Sequence, residues 1–197
     1  MSNLPVILLV GPSGSGKTTI AELLSSRNGW KQIESYTTRA PRYEGEIGHI
    51  FITDKEFDRL TDIVAYTEYN GHRYGCTATQ IDSCQIYVVD MPGVETLLKN
   101  YKGDKKFLAV IPTLSETTRW CRMLERGDTK EKIEERIAID RDAFSDVEWH
   151  LALLLGGENV FIARHNTSTE NAIAIEDYLS KKGYTAAKTA AMADLLN

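Results

Sequence analysis

Apolar residues fall in short unbroken runs separated by amphipathic stretches. The runs are 4–10 (LPVILLV), 85–90 (QIYVVD), 106–112 (KFLAVIP) and 158–163 (ENVFIA). Runs without alternation read as strands covered on both faces. Helical periodicity fills the gaps. It predicts helices over 18–27, over 92–100 with Pro92 in the first turn, and over 129–144. Another helix is capped by Thr113 and Glu116 and runs to Arg126, where Gly127 ends it. The capping-box pair Thr167 and Glu170 opens one over 167–182. Between the first helix and the 85–90 run the pattern changes. Residues 30–37 and 49–53 read as strands, and 54–60 as a short helix boxed by Thr53 and Glu56. Residues 63–70 and 72–75 read as a hairpin around Asn70-Gly71. The Ala-rich stretch 186–196 reads as a loosely held helical tail. Strand–helix alternation of this kind predicts an α/β fold, a mostly parallel sheet flanked by helices. Ligands in such sheets lie beyond the carboxyl ends of the strands.

The chain has 197 residues, enough for one domain with inserted subdomains. Its formal net charge is −5, which argues against a nucleic-acid or anionic-membrane partner. No apolar run reaches membrane-spanning length. The first core strand, rather than a signal peptide, opens the chain. Cys76, Cys84 and Cys121 lack metal-site spacing, and their odd number argues against a disulfide framework. A reducing cytoplasm is the expected setting.

The segment that carries chemistry follows the first strand. Residues 11–19, GPSGSGKTT, match the phosphate-binding pattern G-x-x-x-x-G-K-[ST] between a predicted strand and a predicted helix. Gly11, Gly14 and Gly16 allow a tight turn whose N–H groups approach phosphate oxygens, with Pro12, Ser13 and Ser15 between them. Lys17 supplies charge to the β- and γ-phosphates, Thr18 offers a hydroxyl to Mg²⁺, and Thr19 continues the helix start. A nucleoside triphosphate and Mg²⁺ are the implied ligands. The strand-end acid Asp90 should face the same crevice.

A second cluster, 35–42 (SYTTRAPR), pairs Arg39 with Arg42 beside hydroxyls, a compact anion site. A third places Arg119, Arg122 and Arg126 on one helix face, followed by Arg136 and Arg141 on the next. Glu116, Glu125, Glu131, Glu134, Glu135, Asp140 and Asp142 lie among them, so solvated ion pairs explain these arginines as well as a closing lid does.

Taken in order, GPSGSGKTT, SYTTRAPRYEGEIGHIF, EYNGHRYG, VVDMPGV and RMLERGDTKEKIEERI resemble the guanylate kinase family, from about residue 6 to residue 141. The resemblance implies a P-loop NTPase core (1–34, 85–114 and 146–197), a nucleoside-monophosphate-binding subdomain (35–84) and a lid (115–145). It implies transfer of the γ-phosphoryl of Mg·ATP to a nucleoside 5′-monophosphate, GMP or dGMP first among acceptors. Ser35, Arg39, Arg42 and Tyr74 fall where the family holds the acceptor phosphate, and His49 replaces a tyrosine there. Arg122, Arg126 and Arg136 fall on lid positions. Asp90 falls on an acid serving the base or the metal, and Asn166 near the adenine of ATP.

Four positions depart from the family pattern. The guanine-reading carboxylate is Ala65, the hydroxyl is Cys76, a second acid is Val88, and His49 lies in a shortened segment. Glu68 is close to Ala65 but at a spacing that points it to the opposite strand face. Phosphoryl transfer to a nucleoside monophosphate with another or modified base, or to ribose 1,5-bisphosphate, is therefore a rival, and a non-catalytic binding module a more distant one.

Overall fold

Three of the four apolar runs form adjacent strands of one parallel sheet, and the 85–90 run completes its edge. The structure is a computed structural model and describes residues 4–41 and 44–184. Chain order is β1 (Val6–Leu9), α1 (Lys17–Asn28), β2 (Ser35–Thr37), β3 (His49–Phe51), α2 (Asp54–Phe57), β4 (Ile63–Tyr69), β5 (His72–Thr77), α3 (Ala78–Ser83), β6 (Ile86–Val88), α4 (Met91–Asn100), β7 (Phe107–Pro112), α5 (Glu116–Glu125), α6 (Lys130–Ala143), α7 (Val147–Leu155), β8 (Val160–Ala163) and α8 (Ser168–Lys181). The parallel sheet has strand order β6-β1-β7-β8. All four residues of β1 are fully buried. Its Val6 and Leu8 face a core built with α4 and α7 through Val94, Leu97 and Leu151. Its Ile7 and Leu9 face α1 and α8 through Ile20, Leu24 and Ile175. A strand apolar on both faces is what a sheet sandwiched by helices needs.

The second sheet, order β3-β2-β5-β4, is mixed: β2 and β3 run parallel, and the other pairs antiparallel. Asn70 (φ 49°) and Gly71 (φ 72°) close the β4–β5 hairpin, both left-handed as a tight two-residue hairpin turn demands. Thr96 Oγ1 on α4 ties this sheet to the core. It accepts from Tyr66 N–H at 2.8 Å and donates to Tyr66 O at 3.1 Å.

Several elements differ from expectation. The strand expected over 30–37 is only β2, with an isolated bridge from Gln32 to Ile86. Trp30 packs in the α1–α8 core and Ile33 in the opposite one, so the chain crosses the sheet edge there and cannot stay extended beside one neighbour. Thr113 does not cap α5. Its N–H continues the ladder to Ala163 O at 2.9 Å, and Ser115 Oγ accepts from Thr118 N–H at 3.1 Å instead. The boxes Thr53–Glu56 and Thr167–Glu170 form as expected, though α2 is shorter than predicted. Helices α3 and α7 were not anticipated. The 186–196 stretch lies outside the described residues. Among the described residues no helix is long and apolar enough to cross a membrane.

Candidate active site

The phosphate loop leaves the end of β1 and enters α1 with two glycines in left-handed conformation. A Cβ on Gly14 (φ 75°) would lie 2.8 Å from Arg119 O, and one on Gly16 (φ 93°) 2.8 Å from Ser168 Oγ. Gly14 therefore requires glycine for space as well as for backbone, and Gly16 for its backbone conformation. Lys17 Nζ curls over its own loop and donates to Gly11 O at 2.6 Å and Pro12 O at 2.9 Å. Burial lowers its pKa from 10.5 to about 8, with Arg119, Arg126 and Arg136 adding and Asp140 opposing. Ser15 is buried within the loop, and Thr18 and Thr19 are exposed on the first turn of α1.

The helix pair α5–α6 reaches this loop. Arg119 and Asp140, 6% and 8% exposed, form an ion pair at 3.1 Å. Arg119 also donates to Ser13 O at 3.2 Å, and Ser13 N–H donates to Asp140 Oδ2 at 2.8 Å. The expectation of solvated pairs fails for these two residues. The signal was in the sequence: Asp140 continues the buried stripe Ile133–Ile137 at the next helical step. Arg141, by contrast, makes an exposed pair with Glu116 as expected of a solvated face. Arg122 donates to Asn166 O at 2.8 Å, bringing the α8 approach to the loop. Arg126 pairs with Asp128.

A cavity of about 430 Å³ joins the phosphate loop to the second sheet. Gly11, Ser13 and Lys17 of the loop line it, together with Ser35, His49 and Tyr74 of the second sheet, Asp90 at the start of α4, and Arg136 and Phe144. Ser35 Oγ and His49 Nδ1 are 2.9 Å apart, and the His49 ring meets Tyr74 edge-on at 5.8 Å. Arg39 is held in a two-pronged pair with Glu46 at 2.7 and 3.1 Å, its guanidinium over the Phe51 ring. Glu46, seven residues on in a loop, carries no periodic signal and was not anticipated. Arg42 lies outside the described residues. Asp90 caps α4 by accepting from Gly93 N–H at 2.9 Å. Burial raises its carboxyl, while Gly93 N–H, the Thr67 hydroxyl and Lys17 hold it down.

Residues 7–142 match the family described as AAA domain. The chain is 34% identical over 161 residues to a guanylate kinase of Mycoplasmopsis pulmonis, covering 72% of this chain and 81% of that protein. The chain belongs to the guanylate kinase family. A guanylate kinase of Clostridium tetani is 30% identical over 158 residues, 73% of either chain. The crystal structure of guanylate kinase from Anaplasma phagocytophilum matches the fold with a TM-score of 0.59 at 20% identity, covering 99% of this chain and 94% of that one.

Within this guanylate kinase fold the two altered base-side positions are sealed. Ala65 and Cys76 face each other across β4 and β5 and are both 0% exposed. Cys76, expected in the acceptor site, does not line the cavity; it packs beneath it with Ile33, Ile81 and Tyr87. Burial pushes its thiol up to about 11. Glu68 pairs in register with Arg73, whereas its neighbour Thr67 pairs with Tyr74. Glu68 thus stands on the sheet face opposite Tyr74, where it accepts from the Tyr66 hydroxyl. Glu68 nonetheless lines the cavity together with Tyr66 and Thr67.

Proposed function

We propose that the chain transfers the γ-phosphoryl group of ATP to GMP or dGMP, giving ADP and the guanosine diphosphate. The observation that carries this reading is the single cavity joining the Lys17 loop to the Ser35–His49–Tyr74 cluster. It supports two phosphate-bearing substrates meeting end to end, as in-line transfer requires. The loop of residues 11–18 binds the ATP phosphates through backbone N–H groups and Lys17. Asn166 lies on the adenine side. Ser35, Arg39, Arg42, His49 and Tyr74 orient the acceptor phosphate, and Arg39 is held in place by Glu46. Residues 35–84 then form the acceptor-binding subdomain, residues 115–145 the lid, and the remainder the core.

An acceptor phosphate oxygen attacks the γ-phosphorus, and the bond from that phosphorus to the bridging oxygen of ATP breaks, releasing ADP. No general base is required, because the attacking oxygen is already anionic. Arg122, Arg126 and Arg136 offset the charge that spreads over the transferred group. Mg²⁺, when bound, would supply further charge neutralisation. The residues fit such an ion: Thr18 presents an exposed hydroxyl at the helix start, next to Lys17, and Asp90 a carboxylate in the cavity that Lys17 lines. Among the described residues no cluster of three or more His, Cys, Asp or Glu side chains could hold a metal. Mg²⁺ that takes most of its ligands from phosphates and water needs no such cluster.

Lys17→Ala tests the assignment. ADP release from Mg·ATP with GMP should fall by about a hundredfold or more while the circular dichroism spectrum is kept. Unchanged turnover would overturn it.

A further inference from the structure

One residue of the phosphate loop is gripped on both of its backbone polar groups by α5 and α6. Arg119 donates to Ser13 O at 3.2 Å, and Asp140 Oδ2 accepts from Ser13 N–H at 2.8 Å. The two side chains pair with each other at 3.1 Å and are 6% and 8% exposed. No described peptide bond is cis, so the carbonyl and the N–H of the Ser13–Gly14 peptide point in opposite directions. With the carbonyl turned to Arg119, Gly14 N–H points away from that guanidinium. No described residue accepts a hydrogen bond from it. The φ angle is positive at Gly14 (75°) and Gly16 (93°) but not at Ser15 between them. Alternation of this kind curls a backbone so that successive N–H groups converge into an anion cradle. Gly14 N–H is an unused donor of that cradle.

We propose that Arg119 is a positioning residue that turns Gly14 N–H toward the triphosphate. The inference rests on the reading of this loop as the ATP site. Arg119 acts through Ser13 O and has no need to touch the nucleotide. A flip of the Ser13–Gly14 peptide would put a carbonyl oxygen in the cradle, where it repels phosphate oxygens. Glycine at position 14 leaves the backbone permissive to such a flip, so the hold has to come from outside the loop. Asp140 fixes the same residue from its N–H side and balances a guanidinium that would otherwise be buried unpaired.

Amide proton shifts of wild-type protein titrated with Mg·ATP, with no acceptor present, test this without any variant. The Gly14, Gly16 and Lys17 amide protons should all move downfield, as hydrogen bonds to phosphate oxygens demand. Movement at Gly16 and Lys17 without Gly14 overturns the proposal. No movement anywhere in the loop would remove the ATP reading and the proposal with it. Arg119→Met with Asp140→Leu releases Ser13 and leaves no charge stranded. Its Kd for Mg·ATP should rise about tenfold, the scale of one hydrogen bond to a charged group, with the KM for GMP kept and the Gly14 shift lost. Arg119→Lys, which retains a donor for Ser13 O, should recover most of the affinity for ATP. A double variant with the Kd and Gly14 shift of wild type overturns the proposal. So do equal losses toward ATP and GMP, which a merely structural role of the pair would produce.

Discussion

Lys17 is turned back onto the Gly11 and Pro12 carbonyls, and burial brings its pKa from 10.5 to about 8. Because the folded value lies below the unfolded one, the unfolded chain binds more protons between these two pH values. Free protein should therefore gain stability from this residue as pH rises through that window. A bound triphosphate has the opposite effect, since phosphate oxygens favour the ammonium. ATP binding near pH 8 should take up a fraction of a proton, seen as a dependence of calorimetric heat on buffer ionisation enthalpy. No uptake would contradict Lys17 as a phosphate ligand. Lys17 and its glycines were legible because the motif is contiguous and each residue has one backbone or charge task. Glu46, which holds Arg39, was not, because nothing in a loop's sequence fixes which carboxylate folds back onto a given guanidinium.

At the scale of elements, α5 and α6 meet the phosphate loop through the buried Arg119–Asp140 pair, and both partners also bond the Ser13 backbone. Breaking such a pair on one side strands a charge. Asp140→Ala should cost about 3 kcal/mol in chemical denaturation, whereas Arg119→Met with Asp140→Leu should cost less than the two single changes together. Additive costs would show that the pair is not coupled. The helices with local signatures were readable: the Thr53–Glu56 and Thr167–Glu170 boxes formed where the spacing placed them. Helix α7 was not readable, because VEWHLALLL is apolar nearly throughout, gives no clear face, and fully buries only Leu151. The cap of α5 moved from Thr113 to Ser115 because strand pairing with β8 claimed Thr113 first, a competition between distant residues that local spacing does not reveal.

At the scale of the molecule, the parallel sheet followed from its unbroken apolar runs, and the cavity lies beyond the carboxyl end of β1 as such sheets dictate. The second sheet was less legible. Its β2 and β3 have only three residues each, and their pairing depends on register rather than composition. That register shapes the acceptor end: it pairs Ala65 with Cys76 in the core, sets Glu68 opposite Arg73, and brings Thr67 level with Tyr74. The central claim joins both sheets in one reaction at one cavity. Its most direct test is the initial rate of diphosphate formation from Mg·ATP across a panel of ribo- and deoxyribonucleoside monophosphates, with the product identified by chromatography. The account predicts GDP or dGDP as the fastest-formed product, in step with ADP. Rapid phosphorylation of another acceptor with neither guanine nucleotide used would contradict it.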